Sequence, residues 1–384
     1  MNDQDNEIRL IVAGEEFGGW KAVAIRGGIE RQVREFDLSI TTEWPGRVDV
    51  PRRITPGMLC EVYIGADKVL TGCVDGTPIS FDGTSVTVGV RGRSKTADLV
   101  DCAAINSPGQ WRNAKIDRIA ADLAGPYGVA VLSEVDTGDA LTHAIEQGET
   151  VFESIERMLR LRQVLATDDA EGRLVFIEVG SAGRATTALE VGKNVLSGEA
   201  PLDFKDVYSE YIVKGQRPGS DDEFGDTVAG ETASVSDDTI GRRRVLIIKQ
   251  GGASTSTSAL DRVRYERAHR KAMALATTYK VNGWRQDDGT LWRHNMLVLV
   301  RDPITGFDSE FVIAEIEYQI GPEGLLTVLK VGPKDGYVNK PAKSGKKGKA
   351  GGEGASSEWS DVQPADGRKV ITNKPTNEWG DVKK

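Results

Sequence analysis

The chain has 384 residues, a length that predicts about two to four domains with room for a proper core. Its net charge of −9 argues against non-specific nucleic-acid binding by the chain as a whole. A hydrophobic fraction of 39% together with 44 glycines is typical of many turns and short strands.

The cysteine content and the N-terminus indicate the compartment in which the chain folds. Cys60, Cys73 and Cys102 have no close metal-ligand spacing and cannot all pair, so reduced thiols and folding in a cytoplasm are expected. The acidic stretch "MNDQDNEIRL" has no apolar centre, which predicts no signal peptide. The apolar run at 296–300 is only strand-sized, so we expect no membrane insertion.

Residues 1–95 have the pattern of antiparallel strands joined by tight turns. Phe36, Leu38 and Ile40 alternate with polar neighbours, which indicates a strand with one buried face. Further apolar runs are separated by the turn pairs Asp75-Gly76 and Asp82-Gly83. We predict a small antiparallel barrel or sandwich here, the first β-barrel-like domain of the chain.

The stretch "GVRGRSKTADLVDCAA" at 89–104 comes close to a phosphate-binding loop. Ser94 stands where such a loop needs glycine before Lys95, and its side chain would obstruct the approach of a phosphate to the backbone. The alternative is a strand end followed by a helix, with Ser94 or Thr96 as the N-cap. We expect no nucleotide and no other cofactor.

Residues 96–200 have the pattern of a compact α+β unit inserted in a β-rich chain. A helix over 113–124 would place four apolar side chains on one face, namely Ile116, Ile119, Ala120 and Leu123. Thr150 and Glu153 form a capping box ahead of a second helix. The segments "QVLATD" and "RLVFIEV" then predict a hairpin.

Residues 201–335 return to strands and predict a second β-barrel-like domain with a helical insertion near 255–285. A helix over 259–279 is expected from an apolar stripe formed by Tyr265, Ala268, Ala272, Leu275 and Tyr279. The order of strands and turns at 296–332 repeats that at 59–92. This echo predicts two related β-domains in one chain.

The segment 336–384 has the Lys/Gly/Ser composition of an extended linker. It contains "EWSDV" at 358–362 and "EWGDV" at 378–382. One interpretation is a disordered tail with a chance similarity. The other, which we favour, is a pair of anchors for a partner protein, formed by Trp359, Asp361, Trp379 and Asp381.

The residue types used in catalysis form no recognisable set. His143, His269 and His294 are scattered, and none has another histidine, a cysteine or paired carboxylates at ligand spacing. No catalytic residue and no metal site can be nominated from these residues.

Two segments carry a resemblance to a known family. "GVRGRSKTADLVDCAA" and "TVFESIERMLRLRQVLATDDAEGRLVFIEVG" resemble the baseplate hub proteins of Mu-like contractile-tailed phages, and the likeness extends over roughly 1–335. The resemblance implies a mainly β fold with α+β insertions, in which two related antiparallel β-barrel-like domains per chain build a trimeric, pseudo-sixfold ring. It implies no catalytic residues, so we predict that the protein is not an enzyme.

The expected role follows from that resemblance. Such a ring adapts a threefold central spike to a sixfold tail tube, contacts other baseplate proteins, and leaves a channel through which genome DNA passes without specific binding. The protein would belong to the virion and be assembled in the host cytoplasm. The alternatives are a spike-base component of a bacterial contractile injection particle and, as a different class, a tail-associated peptidoglycan hydrolase.

Overall fold

The computed structural model describes residues 3–43, 54–216, 229–253 and 256–338. All of them lie in one compact unit, Met1–Gly345. Four α-helices occur in the described residues, and they are α1 (Ala97–Asp101), α2 (Ile116–Ala124), α3 (Val151–Arg162) and α4 (Ser256–Leu275).

The first β-rich part runs from residue 8 to residue 94. Its strands are β1 (Ile8–Val12), β2 (Glu15–Phe17), β3 (Ala22–Gly28), β4 (Glu35–Glu43), β5 (Leu59–Ile64), β6 (Asp67–Gly76), β7 (Ile79–Phe81) and β8 (Ser85–Ser94). Phe36 and Leu38 are buried, as the alternation in their strand predicts. Ile40 of the same strand is half-buried.

The α+β part contains helices α1 to α3 and five short strands. The strands are β9 (Gln110–Ala114), β10 (Val131–Ser133), β11 (Leu141–Ala144), β12 (Leu165–Asp168) and β13 (Leu174–Ile177). The helix predicted over 113–124 begins only at Ile116, because Asn113 and Ala114 belong to strand β9, but the four side chains predicted to share its inner face are all buried. The predicted capping box is confirmed, because Thr150 and Glu153 exchange both hydrogen bonds at the start of α3. The predicted hairpin is formed by β12 and β13, which pair antiparallel.

The remaining strands form two groups. Strands β14 (Leu189–Glu190), β15 (Val195–Glu199), β19 (Thr277–Asn282), β20 (Leu297–Asp302), β21 (Phe307–Gly321) and β22 (Gly324–Gly332) join the main sheet. Strands β16 (Glu210–Gln216), β17 (Ala229–Ser236) and β18 (Val245–Ala253) form a separate sheet that packs on α4. β14 and β15 therefore belong to the main sheet although they fall within 96–200, and the division of the chain into domains stays a prediction.

The helix predicted over 259–279 is wrong at its C-terminal end. α4 ends at Leu275, and Tyr279 lies in strand β19. Thr277 and Thr278 are β-branched and suit the extended backbone that pairs with β22. Tyr279 is fully buried, and its hydroxyl donates to Asp302 Oδ2 over 2.8 Å.

The tail predicted from residue 336 begins too early. Gly336 lies against α4, where a Cβ would come within 1.9 Å of the Ala272 Cβ atom. Tyr337 is fully buried in a cluster with Ile29 and Val312. Both residues are therefore part of the folded unit.

The main sheet runs without a break through both β-rich parts. Its order is β15-β19-β22-β21-β3-β4-β8-β6-β5-β1-β2, and the antiparallel pairing of β21 with β3 joins the two parts. In the described residues the end strands β15 and β2 do not pair, so no closed barrel forms. The prediction of two barrel-like domains is corrected to a single open sheet. Each separate barrel would have to close by pairing its own edge strands, but β21 and β3 pair with each other instead.

The echo predicted between 59–92 and 296–332 is confirmed as a repeated strand layout. The order β3-β4-β8-β6-β5 matches β15-β19-β22-β21-β20, both in space and along the chain, and every neighbouring pair is antiparallel. We call β3 to β8 the first module, and β15 with β19 to β22 the second module. The echo therefore covers more strands than the sequence indicates.

Candidate functional site

A buried ion pair fixes the α+β part to the first module. Asp168, at the end of β12, is 1% exposed and receives hydrogen bonds from the backbone N–H and the Nε of Arg34, at 3.0 and 3.1 Å. Arg34 also donates to the carbonyl oxygens of Asp168 and Val69, both at 2.9 Å. Burial raises the pKa of Asp168, and the positive charge of Arg34 opposes this shift. All three guanidinium nitrogens of Arg34 donate to protein acceptors, which is the arrangement of a structural contact.

The Ser94-Lys95-Thr96 stretch belongs to the same contact. Ser94 ends β8 and Thr96 precedes α1, so the strand-to-helix interpretation is confirmed. Neither side chain caps the helix as predicted, because Ser94 Oγ accepts from the Arg34 N–H and Thr96 Oγ1 donates to the Gln32 carbonyl. Both are buried, and Lys95 packs its stem near Gly172. The backbone N–H groups of Ser94 and Lys95 donate to the carbonyl oxygens of Arg34 and Thr71, so they are not directed toward a phosphate.

The three histidines lie apart, as their spacing indicates. His143 Nε2 lies 2.8 Å from Ser154 Oγ, and His269 Nδ1 lies 2.9 Å from the Gly336 carbonyl oxygen. His294 lines a cavity of about 430 Å³ beside the Arg34–Asp168 pair. Burial, reinforced by Arg34 and Arg293, lowers its pKa to about 3. Among the described residues no group of three or more His, Cys, Asp or Glu side chains could hold a metal ion.

The burial of His143 predicts that the folded protein loses stability at acidic pH. Burial, with a smaller effect from the Arg157 charge, lowers its pKa from 6.5 to about 4. Between those values the unfolded chain takes up a proton that the folded chain does not, so stability is lost as the pH falls from 6.5 to 4. We expect wild type to lose roughly 2 to 3 kcal/mol more than His143→Gln over this range, measured by denaturant unfolding at several pH values. Parallel stability curves for the two proteins would contradict this.

Two strand edges of the main sheet carry exposed apolar side chains. On β7 these are Ile79 and Phe81, which are 60% and 78% exposed, and β7 pairs only with β8 in the described part of the chain. On β15 it is Leu196, which is 59% exposed, and β15 has a ladder partner only in β19 there. Unpaired backbone beside exposed apolar groups favours the addition of another strand. These edges are the candidate functional surfaces of the described residues.

The sequence did not reveal these edges. Ile79 and Phe81 alternate with polar residues in the manner of an ordinary half-buried strand, so nothing local marks them as unpaired. The repeat between 59–92 and 296–332 could have revealed these edges if it had been extended to the neighbouring strands. The comparison then shows that a strand of one module lacks the neighbouring strand that its counterpart in the other module has. The predicted anchors Trp359, Asp361, Trp379 and Asp381 lie outside the described residues.

A continuous, mainly antiparallel sheet with two like modules and an inserted α+β part places the chain in a class that includes phage tail proteins. The fold matches the crystal structure of the 43 kDa tail protein of prophage MuSo2 from Shewanella oneidensis with a TM-score of 0.79 and 33% identity, covering 87% of this chain and 100% of that chain. It also matches the E. coli c3393 protein, a component of the type VI secretion system, with a TM-score of 0.52 and 12% identity over 87% of this chain and 79% of that one. The second likeness concerns the fold alone.

Matches to family models and to a curated relative identify the family within this class. Residues 7–94 match the N-terminal model of the Mu phage baseplate assembly protein GpP-like family. Residues 96–178 match the second domain of the gp44-like baseplate hub proteins, and residues 255–340 match the fourth domain of the Mu phage baseplate assembly protein GpP. The baseplate hub protein gp44 of Escherichia phage Mu is 32% identical over 358 residues, which are 91% of this chain and 93% of the relative. The chain belongs to the family of Mu-like phage baseplate hub proteins, which are structural components of the virion tail and not enzymes.

No helix in the described part of the chain has the length and apolar character needed to span a membrane.

Proposed function

We propose that three copies of the chain form a ring that adapts a threefold central spike to a sixfold tail tube. The repeated module carries this proposal. Three chains with two like modules each supply six quasi-equivalent positions, which is what a junction between threefold and sixfold partners needs. The shared layout supports equivalence because neighbouring strands keep the same order and direction in both modules.

The mass of the purified protein in solution tests the ring. Light scattering should give three times the mass of one chain, and electron microscopy should show a ring with near-sixfold outline. A monomer or dimer at all accessible concentrations would overturn the proposal.

The proposed ring leaves a channel through which genome DNA passes without specific binding. The net charge of −9 supports weak contact, since DNA is also negative and binding requires neutralised phosphates. We expect no saturable binding of a duplex at physiological salt, measured by fluorescence anisotropy. Tight, salt-sensitive binding would contradict a passive channel.

The tail segment is proposed to bind the spike or a neighbouring baseplate protein through Trp359 and Trp379, with Asp361 and Asp381 beside them. Ending the chain after Val338 should abolish that association and leave ring formation intact, because Tyr337 keeps its buried place. Co-purification with spike protein measures the loss, and replacing only the two tryptophans with alanine should reproduce it. Full capture by either variant would show the hypothesis to be wrong.

Two further points belong to this proposal. Assembly in the host cytoplasm is supported by three cysteines that remain free thiols. A role as the spike base of a bacterial contractile injection particle is the second candidate, favoured by the fold shared with a type VI secretion component. Isolation of the protein from phage particles or from secretion particles separates the two.

A further inference from the structure

The two modules differ in whether one particular strand has a further strand paired beside it. In the second module, β21 pairs along residues 315–320 with β3. The corresponding strand of the first module is β6 continued by β7, since both pair with the module's last strand. The described residues place no strand beside β7 on the side where β3 lies beside β21.

The hairpins fix the correspondence between the modules residue by residue. Gly321 faces Gly324 at the end of β21, and the Asp82 N–H bonds to the Ser85 carbonyl at the end of β7. With Asp82 matched to Gly321, Phe81 corresponds to Ile320 and Ile79 to Tyr318.

Burial differs sharply at these matched positions. Tyr318 lies opposite Ile25 of β3 and is 6% exposed, and Ile320 packs against the main core. Their counterparts Ile79 and Phe81 are 60% and 78% exposed. The open edge therefore carries apolar side chains where the paired edge buries them.

Strand β15 is the counterpart of β3. Val23 of β3 pairs with Leu38, and Gly198 of β15 pairs with Tyr279, which occupies the place of Leu38 in the second module. Val23 thus corresponds to Gly198, and Ala24 to Glu199. In the described residues β15 has no strand on its outer side, apart from an isolated bridge between Val195 and Val191, whereas β3 has β21 there.

We propose that β15 of one copy pairs antiparallel with β7 of a second copy, repeating between chains the β21–β3 junction found within one chain. The register follows from the pairs Gln319–Ala24 and Ile320–Val23, and it sets Ser80 opposite Glu199 and Phe81 opposite Gly198 of the second copy. This inference rests on the proposed ring and names the strands that join its subunits. Each interface uses two different edges, so it can close a ring.

Engineered disulfides test the register. Directly opposed residues of an antiparallel pair lie about 4.5 to 5.5 Å apart at Cα, within reach of a disulfide. Ser80 and Glu199 are both exposed. A chain carrying Ser80→Cys with Glu199→Cys should form covalent dimers and trimers on mild oxidation. Each single variant should stay monomeric on a non-reducing gel, which controls for the three native cysteines.

A second pair of cysteines tests an alternative pairing of strands between copies. Joining the two ends of the sheet directly would set β15 against β2, so Glu16→Cys with Glu199→Cys should cross-link instead. That result, or no cross-link in either pair from a protein that light scattering shows to be trimeric, would overturn the β15–β7 pairing while leaving the ring standing. A protein that is not trimeric would overturn both.

Discussion

Replacing Asp168 with alanine is expected to lower the free energy of unfolding by about 3 to 5 kcal/mol. The substitution leaves the guanidinium of Arg34, whose side chain is only 18% exposed, without its charged partner. It also removes one of the two acceptors of the Arg34 backbone N–H, the other being Ser94 Oγ. An unpaired buried charge is costly because the protein interior cannot replace the water that would solvate it.

The matched control is Asp37→Ala, which breaks an ion pair with Arg91 whose side chains are 38% and 61% exposed. Exposed pairs contribute about 0 to 1 kcal/mol, so this variant should unfold close to wild type. Urea unfolding at one fixed protein concentration compares the three proteins, since association shifts apparent stability. Equal losses for Asp168→Ala and Asp37→Ala would show that the contact is not what attaches the α+β part.

The features that sequence predicted correctly are local ones. The Thr150–Glu153 capping box and the inner face of α2 depend on residues three or four positions apart, and both are present as expected. The hairpin of β12 and β13 is likewise a contact between neighbours. In each case the interacting groups fall within one window of the chain, so a pattern suffices.

The features that sequence could not predict join distant residues. Arg34 and Asp168 are 134 positions apart, and nothing near either one indicates its partner. The β21–β3 ladder turns two expected barrels into one sheet in the same way. Tyr279 fits a helical stripe in the sequence, and only its pairing in β19 and its bond to Asp302 place it in a strand. Tertiary contacts override local preference at such points.

The second large effect concerns assembly. We expect Phe81→Asp to convert the trimer into monomers at micromolar concentration while leaving each chain folded. Phe81 is 78% exposed in the single chain, so the fold does not depend on it. In the proposed interface the substitution removes a buried aromatic surface and places a charge beside a strand ladder, a loss of roughly 2 to 4 kcal/mol for each interface.

Ile304→Asp is the matched control for this effect. Ile304 is 83% exposed and lies in the turn between β20 and β21, outside both β7 and β15, so the same change of chemistry there should leave the trimer intact. Light scattering of wild type and the two variants over a dilution series gives the comparison, and circular dichroism confirms that all three are folded. A closed ring has three such contacts, and the Phe81→Asp substitution weakens all of them. Dissociation should therefore be complete at concentrations where wild type remains trimeric. If Phe81→Asp stays trimeric, or if Ile304→Asp dissociates equally, then the apolar edge of β7 is not what joins the subunits.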